Sequence, residues 1–400
     1  MKIVKLKLED IDVGTHTPKH IDEEHRSKIE SMKKKIKKGH TLPPFFVMAD
    51  KNSKIKYRRL DGFKRYLAYK ELGYEKIDCI VVDESTNIDL DDKAQKKLVL
   101  ITGYKCNNNC RFCYDANKRS IPNRTTKALL KDLTIGIKYN CDYVDILGGE
   151  PTIRKDIFLL IKKAKEMGYE RICITTNGRL LSYNPFLEKL IDAGLNSIIF
   201  SIHGHNAELH DFQTRVKGSF SQLLKGLNNT QEQAKIKDIQ IGSNTTITKL
   251  NYEHLPQIGE FLVKNGIKNS EFIFVDPTGE AYNNFKDLVP KITELSPYIK
   301  KLLDIGISNK IPHWHIRYFP FCYLDGYENY ISEKYSPFQK EVHFGPEFTN
   351  LDVDESRKII SRVKAPQCAL CKFNNFCEGV WKEYEKQYGL KELRPIKNGN

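Results

Sequence analysis

The residues most able to do chemistry in this chain are its cysteines, which are grouped rather than scattered. The first group has three members: Cys106, Cys110 and Cys113. The second group has four: Cys322, Cys368, Cys371 and Cys377. Thiolates this close together in a cytosolic chain bind soft metals or iron–sulfur clusters more readily than they form disulfides. Both groups therefore predict metal ligation.

The first group has the spacing C-x3-C-x2-C and directly follows an apolar segment, Leu98–Thr102, that predicts a strand. In parallel α/β folds, the loops after the strand C-termini carry the functional residues. Three thiolates can hold three irons of a [4Fe–4S] cluster and leave the fourth iron open. The spacing alone also fits a zinc knuckle. Motifs farther along the chain distinguish the two interpretations.

Three further motifs each follow one of the next predicted strands. They are Gly148-Gly149-Glu150-Pro151-Thr152, Thr175-Thr176-Asn177-Gly178 and Ser201-Ile202-His203-Gly204. Together with the cysteine loop and its aromatic Phe112, and in this order, they resemble the motifs of the radical S-adenosylmethionine (SAM) superfamily. The resemblance implies a SAM-binding [4Fe–4S] cluster rather than a zinc site.

The resemblance also implies roles for individual residues. Phe112 would pack near the adenine, and the carboxylate of Glu150 would meet the methionine amino group, which would supply the cation that a buried carboxylate needs. Asn177 would contact the ribose and Arg215 the SAM carboxylate. The implied cofactor-binding set is Phe112, Gly148, Gly149, Glu150, Pro151, Thr176, Asn177, Ser201, Arg215 and Asn244. No residue is assigned as a catalytic base.

The implied reaction begins when a reduced cluster passes one electron to SAM and the C5′–S bond breaks. The resulting 5′-deoxyadenosyl radical then abstracts a hydrogen atom from the substrate, with the protein aiming the radical and excluding water. A low-potential electron donor such as flavodoxin or ferredoxin is the implied partner. The sequence leaves open which atom is attacked and whether SAM is consumed or regenerated.

The second cysteine group resembles the SPASM/twitch-type auxiliary-cluster regions of radical SAM maturases. Four thiolates match the ligand count of one further [4Fe–4S] cluster, and structural zinc is the alternative. With cysteine at all four positions, an auxiliary cluster would be an electron conduit or a folding staple. The three remaining cysteines are predicted to be packing residues: Cys79, Cys141 and Cys173.

The N-terminal region resembles the ParB/sulfiredoxin-like domain. Its candidate phosphate-binding turn is formed by Gly62, Lys64 and Arg65 at the predicted start of a helix. Phe63 occupies the position of the sulfiredoxin cysteine and of the glutamate in CTP-hydrolysing ParB proteins, so sulfiredoxin activity is excluded and nucleotide hydrolysis is in doubt. A degenerate docking domain is the alternative.

The elements that must position these residues are short apolar strands alternating with amphipathic helices, which predicts an α/β protein with a parallel sheet. About six strand–helix units indicate a partial (β/α)6 TIM-like barrel rather than a closed one. The predicted domains are a small α/β domain (1–88), the radical SAM barrel (97–310) and an auxiliary iron–sulfur region (311–400).

The chain has 400 residues and a formal net charge of +14, which suits a soluble globular protein with more than one domain. No signal peptide or membrane span is recognised, so a cytoplasmic location and no membrane partner are predicted. The oligomeric state stays open. The excess of positive charge is compatible with a phosphate-rich partner.

These observations predict a radical SAM enzyme that modifies a peptide or protein by hydrogen abstraction. One alternative is the same chemistry on a nucleotide or nucleic acid that the N-terminal domain recognises. Another is a non-catalytic iron–sulfur regulator that binds nucleic acid, although a regulator would not need an intact SAM pocket.

Overall fold

The computed structural model describes residues 3–12, 23–39, 42, 44–49, 56–59, 63–82, 96–335, 340–351 and 353–397. The chain divides into two compact units that alternate along the sequence and are treated separately below. The first unit comprises Met1–Thr102, Arg124–Val144 and Phe338–Ser361. The second comprises Gly103–Asn123, Asp145–Pro337 and Arg362–Asn400.

Strands and helices are numbered in chain order. The strands are β1 (Ile3–Lys7), β2 (Ile11–Asp12), β3 (Phe45–Ala49), β4 (Tyr57–Arg59), β5 (Lys76–Val82), β6 (Lys96–Ile101), β7 (Tyr143–Leu147), β8 (Arg171–Thr176), β9 (Ser197–Ser201), β10 (Gln240–Ile247), β11 (Asn269–Phe274), β12 (His313–Arg317), β13 (Lys340–Phe344), β14 (Thr349–Asn350), β15 (Arg362–Val363) and β16 (Val380–Trp381). The helices are α1 (Glu23–Lys37), α2 (Phe63–Glu71), α3 (Thr126–Lys138), α4 (Ile157–Glu166), α5 (Asn184–Ala193), α6 (Ala207–Thr214), α7 (Ser219–Ala234), α8 (Leu255–Lys264), α9 (Glu280–Asn283), α10 (Phe285–Leu288), α11 (Ile292–Ser308), α12 (Ser332–Tyr335), α13 (Val353–Ile360) and α14 (Lys382–Tyr388).

The first unit begins with a mixed sheet whose described strands have the order β1-β5-β3-β4-β2. Phe45, Val47 and Ile77 contribute to a buried core on this sheet. Helix α1 places Ile29 and Met32 on its buried face, three residues apart, and this face packs in a second core with α2. The predicted small α/β domain at the start of the chain is therefore confirmed.

The rest of the first unit is built on β6, the strand that precedes the cysteine loop. Strand β13 pairs with β6 in parallel, and β14 pairs with β13 in antiparallel. Leu98 and Leu100 of β6 are completely buried, as the apolar run predicts for a strand covered on both faces. The sequence does not predict strand β13. This strand lies in the long segment between Cys322 and Cys368, which contains none of the motifs.

The second unit contains a parallel sheet in which β8, β9, β10, β11 and β12 are neighbours in chain order. Helices connect them, beginning with α5 after β8 and α6 and α7 after β9. This arrangement confirms the predicted α/β class with a parallel sheet. Because successive strands are parallel, their C-terminal ends lie along one edge, and the loops that carry the sequence motifs meet there.

The last part of the second unit holds the second cysteine group. Strands β15 and β16 pair in antiparallel, and α14 follows directly. Among the helices described, none is both long and apolar enough to cross a membrane. The predicted domain boundaries and the cytoplasmic location stay predictions.

Candidate active site

The first cysteine loop is fixed by backbone hydrogen bonds to the end of α6. The amide of Asn109 donates to the carbonyl of Thr214 at 3.0 Å, and the amide of Arg111 donates to that of Gln213 at 2.9 Å. The Arg111 side chain adds a bond from Nε to the Phe212 carbonyl at 2.9 Å. The loop is therefore positioned by the helix that follows β9 rather than by its own sequence alone.

The three thiols of this loop are half-buried. Burial raises the pKa of Cys106 to about 11, and it also raises the pKa values of Cys110 and Cys113. Each thiolate that forms would raise the pKa of its neighbours, so the group favours a bound cation that deprotonates the thiols. The donor set and its burial fit an iron–sulfur cluster.

No group of three or more His, Cys, Asp or Glu side chains in the described part of the chain lies close enough to hold a single metal ion.

The Gly148-Gly149 turn brings the backbone after β7 against the cysteine loop. The amide of Glu150 donates to the Lys105 carbonyl at 2.9 Å. Gly149 has φ +54°, and a Cβ atom there would lie 2.1 Å from that same carbonyl oxygen. Only glycine fits this contact, so the motif is required to bring the two loops together.

Glu150 is buried, and its carboxylate accepts four hydrogen bonds. One oxygen accepts from the amide of Thr152 at 3.0 Å, its hydroxyl at 2.5 Å and the hydroxyl of Thr176 at 2.7 Å. The other accepts from the Asn177 amide at 2.8 Å. The sequence-based expectation that this carboxylate needs a cation to be buried was incomplete, because neutral donors already surround it. Burial nevertheless raises its pKa above the usual value, so a cationic partner would still be stabilising.

Asn177 connects the motif after β8 to the cysteine loop. Its Nδ2 donates to Asn107 Oδ1 at 2.7 Å and lies 3.9 Å from Cys106 Sγ. Arg179 reinforces the connection through its Nη1, which donates to the Asn107 carbonyl and to Asn108 Oδ1. The structure thus brings the predicted ribose-contacting residue directly beside the first predicted iron ligand.

Phe112, the aromatic residue between Cys110 and Cys113, is buried against His203, with the two ring centroids 4.6 Å apart and edge-to-face. His203 Nδ1 accepts from the Thr246 amide at 3.3 Å, which places the hydrogen of the neutral ring on Nε2. Burial lowers the pKa of His203 to about 3, so the ring is neutral. It provides an uncharged support for Phe112.

Of the three other predicted SAM contacts, Ser201 and Asn244 lie on later strands of the same unit, and Arg215 follows α6. Ser201 and Asn244 are directly paired in the β9–β10 register. Arg215 has φ +55° just after α6, and its Nη2 lies 3.5 Å from a Glu280 carboxylate oxygen. The amide of Glu280 in turn donates to the Cys113 carbonyl at 3.1 Å, which ties this loop to the cysteine loop.

Sequence reasoning missed several residues of this site, which are Asn107, Asn108, Arg119, Arg179 and Glu280. Asn107 and Asn108 occupy unspecified positions between the cysteines, and the other three belong to none of the motifs. Only their contacts across loops identify them.

The four cysteines of the second group line one cavity. The amide of Gly379 donates to Cys377 Sγ at 3.3 Å, and the amide of Ile396 donates to Cys371 Sγ at 3.4 Å. Burial, together with the three other thiols, raises the pKa of Cys322 to about 12. Four thiols around one cavity, with backbone N–H groups directed at sulfur, fit an iron–sulfur cluster held entirely by cysteine ligands.

Residues 100–262 match the family model of the Radical SAM superfamily, and residues 1–96 match that of the ParB N-terminal domain. The chain contains a radical SAM domain. Among its relatives, a probable GTP 3′,8-cyclase of Sulfurisphaera tokodaii is 28% identical over 236 residues, which are 58% of this chain and 72% of the relative. The AdoMet-dependent heme synthase of Methanosarcina barkeri is 31% identical over 178 residues, 44% of this chain and 49% of the relative.

Solved structures agree with the radical SAM fold. Streptococcus suis SuiB bound to its precursor peptide SuiA has a TM-score of 0.54 and 16% identity, covering 92% of this chain and 88% of SuiB. The enzyme anSMEcpe with bound AdoMet also has a TM-score of 0.54, with 15% identity and coverage of 76% and 93%. At these identities the likeness establishes the fold alone.

Residues 100–262 therefore form a radical SAM enzyme domain, and the superfamily uses SAM and a [4Fe–4S] cluster as cofactors. The relatives differ in substrate, so the family does not determine what this enzyme modifies. The roles of individual residues around the first cysteine group stay predictions, although their geometry is compatible with them.

The predicted phosphate-binding turn of the ParB-like region is only partly described. Gly62 lies outside the described residues, and Lys64 is half-buried. Arg65 is buried, with Nη1 3.4 Å from the Pro44 carbonyl and its guanidinium 5.2 Å from the Phe45 ring centroid. An arginine in this environment supports the fold of the module, and its phosphate-binding role stays a prediction.

Proposed function

We propose that this radical SAM enzyme cleaves SAM at the cluster held by Cys106, Cys110 and Cys113 and modifies a peptide or protein by hydrogen abstraction. The observation that carries the proposal is the hydrogen-bond network linking the cysteine loop to Glu150 and Asn177. This network joins three of the predicted SAM-binding elements in one place.

When bound, the cluster and SAM supply the one-electron chemistry that generates a 5′-deoxyadenosyl radical. The residues of the chain bind and orient SAM for it. Glu150 offers a buried negative charge to the methionine ammonium, and its fixed hydrogen bonds hold it in place before SAM arrives. Phe112 and His203 provide an apolar, neutral surface for the adenine.

Arg215 is the predicted partner of the SAM carboxylate. Its ion pair with Glu280 is long, at 3.5 Å, and both side chains are partly exposed, with 32% and 23% of their surface accessible. Such a pair is weak and can be exchanged for a bidentate bond to a ligand carboxylate. Glu280 would then hold Arg215 in position until SAM binds.

Two observations support a peptide or protein substrate. The SuiB complex with a precursor peptide covers nearly all of this chain at the level of fold. In the second group, four cysteines line the cavity, so every iron of an auxiliary cluster could have a protein ligand. Such a cluster would transfer electrons from the substrate radical rather than bind the substrate.

A nucleotide is the second candidate substrate. It is favoured by the 28% identity to a probable GTP 3′,8-cyclase and by the ParB N-terminal match over residues 1–96. A GTP-type substrate would need polar groups at the mouth of the radical SAM domain that recognise a base or a triphosphate.

Anaerobic reconstitution with iron, sulfide, dithionite and SAM tests the proposal. Wild-type enzyme is expected to form 5′-deoxyadenosine, while the Cys110→Ala variant is not; Cys141→Ala, a buried cysteine outside both groups, serves as the matched control. Absence of 5′-deoxyadenosine from wild-type protein carrying full iron, with both substrate classes supplied, would overturn the radical SAM activity.

The substrate class is tested with deuterium. A fully deuterated tryptic peptide mixture and ribose-deuterated GTP are supplied separately, and 5′-deoxyadenosine is analysed by mass spectrometry. A gain of one mass unit with the peptides supports the proposal. A gain with GTP alone would replace it with the nucleotide reaction.

A further inference from the structure

Arg119 lies next to the first cysteine group, although no motif contains it. It follows the short 3-10 helix Ala116–Lys118 and is in the helical region, with φ −64° and ψ −20°. This turn directs the guanidinium back towards the cysteine loop, where Nη2 donates to the Asn108 carbonyl at 3.1 Å. Arg119 therefore contacts the backbone between the first and second cysteines.

The Asn108 segment that Arg119 contacts is itself fixed to the thiols. Asn108 is buried, with 4% of its surface exposed, and its amide donates to Cys106 Sγ at 3.3 Å. Arg179 Nη1 donates to Asn108 Oδ1 at 3.0 Å from the other side. Arg119 and Arg179 thus both hold Asn108 in the cysteine loop. Arg119 also interacts electrostatically with the thiols.

The Arg119 guanidinium is close enough to all three thiols for its positive charge to act on them. Its Nε hydrogen is buried and has no acceptor among the described residues. A buried donor without an acceptor is destabilising, so an acceptor supplied by the bound cofactor would stabilise this arrangement.

We propose that Arg119 is a tuning residue for the SAM-binding cluster, whose sulfur atoms accept the free Nε hydrogen bond and whose reduction the guanidinium charge favours. The inference rests on the proposed function of the cysteine loop. Reduction adds one electron, which an external low-potential donor supplies, and therefore one negative charge. A nearby fixed cation stabilises the reduced form more than the oxidised form and raises the reduction potential.

Lys118 is the matched control for charge. It is the adjacent residue and carries the same charge, but its Nζ pairs with Asp115 Oδ1 at 3.0 Å and lies over the rings of Tyr104 and Tyr114. Removing it changes the net charge of the loop by the same amount as removing Arg119. The two residues differ in where the charged group lies: that of Arg119 contacts the backbone of the cysteine loop, and that of Lys118 contacts Asp115 and two tyrosine rings.

The experiment is a redox titration of the reconstituted full-length enzyme followed by electron paramagnetic resonance. The signal that changes when SAM is added identifies the SAM-binding cluster. Arg119→Gln is expected to lower the ratio of reduced to oxidised cluster about tenfold at a fixed donor potential, which for one electron is a shift of about −59 mV. Arg119→Lys keeps the charge and is expected to stay close to wild type, and Lys118→Met is expected to shift far less than Arg119→Gln.

Arg119→Gln with full iron and the wild-type potential would overturn the proposal, as would equal shifts in Arg119→Gln and Lys118→Met. Loss of iron in Arg119→Gln while Arg119→Lys retains it would also overturn the proposal, because Arg119 would then serve loop structure alone. The result is separable from the proposed function. A shifted potential in an enzyme that forms no 5′-deoxyadenosine would defeat the function and leave the tuning role intact.

Discussion

The two cysteine groups differ in the residues that surround their thiols. In the first group, three thiols sit in a loop that is surrounded by side-chain donors and acceptors: Asn107, Asn108, Arg119, Asn177 and Arg179. In the second, four thiols line a cavity, and the hydrogen bonds to sulfur come from backbone amides such as those of Gly379 and Ile396. Three thiols would leave one iron of a [4Fe–4S] cluster without a protein ligand, whereas four could ligate every iron.

The largest expected effect separates the two groups by cysteine substitution. Cys110→Ala should lower the iron content by about four per chain and reduce 5′-deoxyadenosine formation by more than about a hundredfold, because the first cluster loses a ligand. Cys322→Ala should lose a similar amount of iron but keep SAM cleavage, while product formation falls. Iron analysis and chromatography of 5′-deoxyadenosine measure both.

If Cys322→Ala kept both its iron and its product formation, the second group would not hold a cluster. If it lost SAM cleavage as completely as Cys110→Ala, the two groups would not be functionally distinct.

The second prediction uses a matched pair of glycines. A Cβ atom at Gly149 would lie 2.1 Å from the Lys105 carbonyl oxygen, and one at Gly379 would lie 2.1 Å from that of Val363; both residues have positive φ. Each Gly→Ala change should cost about 2–4 kcal/mol of local stability. Gly149→Ala should weaken SAM binding by tenfold or more, and Gly379→Ala should leave it unchanged.

Equilibrium dialysis with labelled SAM measures the affinities, and iron content reports on each cluster. Equal losses of SAM affinity in the two variants would mean that the sites are mechanically coupled.

The third prediction concerns Glu150. The residues that line the cavity of the second cysteine group include no carboxylate that corresponds to it. Glu150→Gln removes the charge expected to meet the SAM ammonium and turns an acceptor towards the Asn177 amide into a donor. Losing these interactions should cost about 1–3 kcal/mol, which is roughly 5- to 150-fold in SAM affinity. The auxiliary cluster should be unaffected. A SAM affinity equal to that of wild type would show that the carboxylate serves loop structure only.

The smallest expected effect is at Arg215. Its ion pair with Glu280 is partly exposed and should be worth less than about 1 kcal/mol to stability. Arg215→Gln should weaken SAM binding by about two- to fivefold, and Glu280→Gln should leave it unchanged or tighten it, because it frees the guanidinium. Calorimetric titration of SAM resolves these differences. Tighter binding in Arg215→Gln would remove Arg215 from the predicted SAM contacts.

The sequence predicted the parallel α/β fold and the order of the motif loops because both depend on local patterns. The apolar runs predict strands over Tyr143–Leu147, Arg171–Thr175 and Ser197–Ile202. Strand β7 matches the first of these in both bounds, and β8 and β9 each differ from their prediction by one residue at one end. Strand β13 was missed because its pairing with β6 joins segments that are far apart in the chain. The pattern of apolar residues within a short segment does not show which distant strand the segment pairs with.

The same limit applies to the site. The cysteines, Glu150 and Asn177 belong to recognisable motifs, and the structure brings them together. Arg119 and Arg179 act by donating hydrogen bonds to backbone carbonyls of the cysteine loop. Any long side chain with a donor group could make such a bond, and it could do so from several positions in the sequence. Sequence alone contains no spacing rule for such contacts.

The pairing of β13 with β6 has a consequence for how the protein is made. Val342 lies opposite Leu98, so one edge of the strand before the cysteine loop is completed only after most of the chain has left the ribosome. At typical translation rates the interval is about 12 to 50 s. During this time the unpaired backbone groups at this edge of β6 can pair with strands of other chains. We therefore expect chaperones to bind the nascent chain. Strand β13, which is made late, completes the pairing of the strand that leads into the cysteine loop, so stable cluster insertion is expected after synthesis rather than during it.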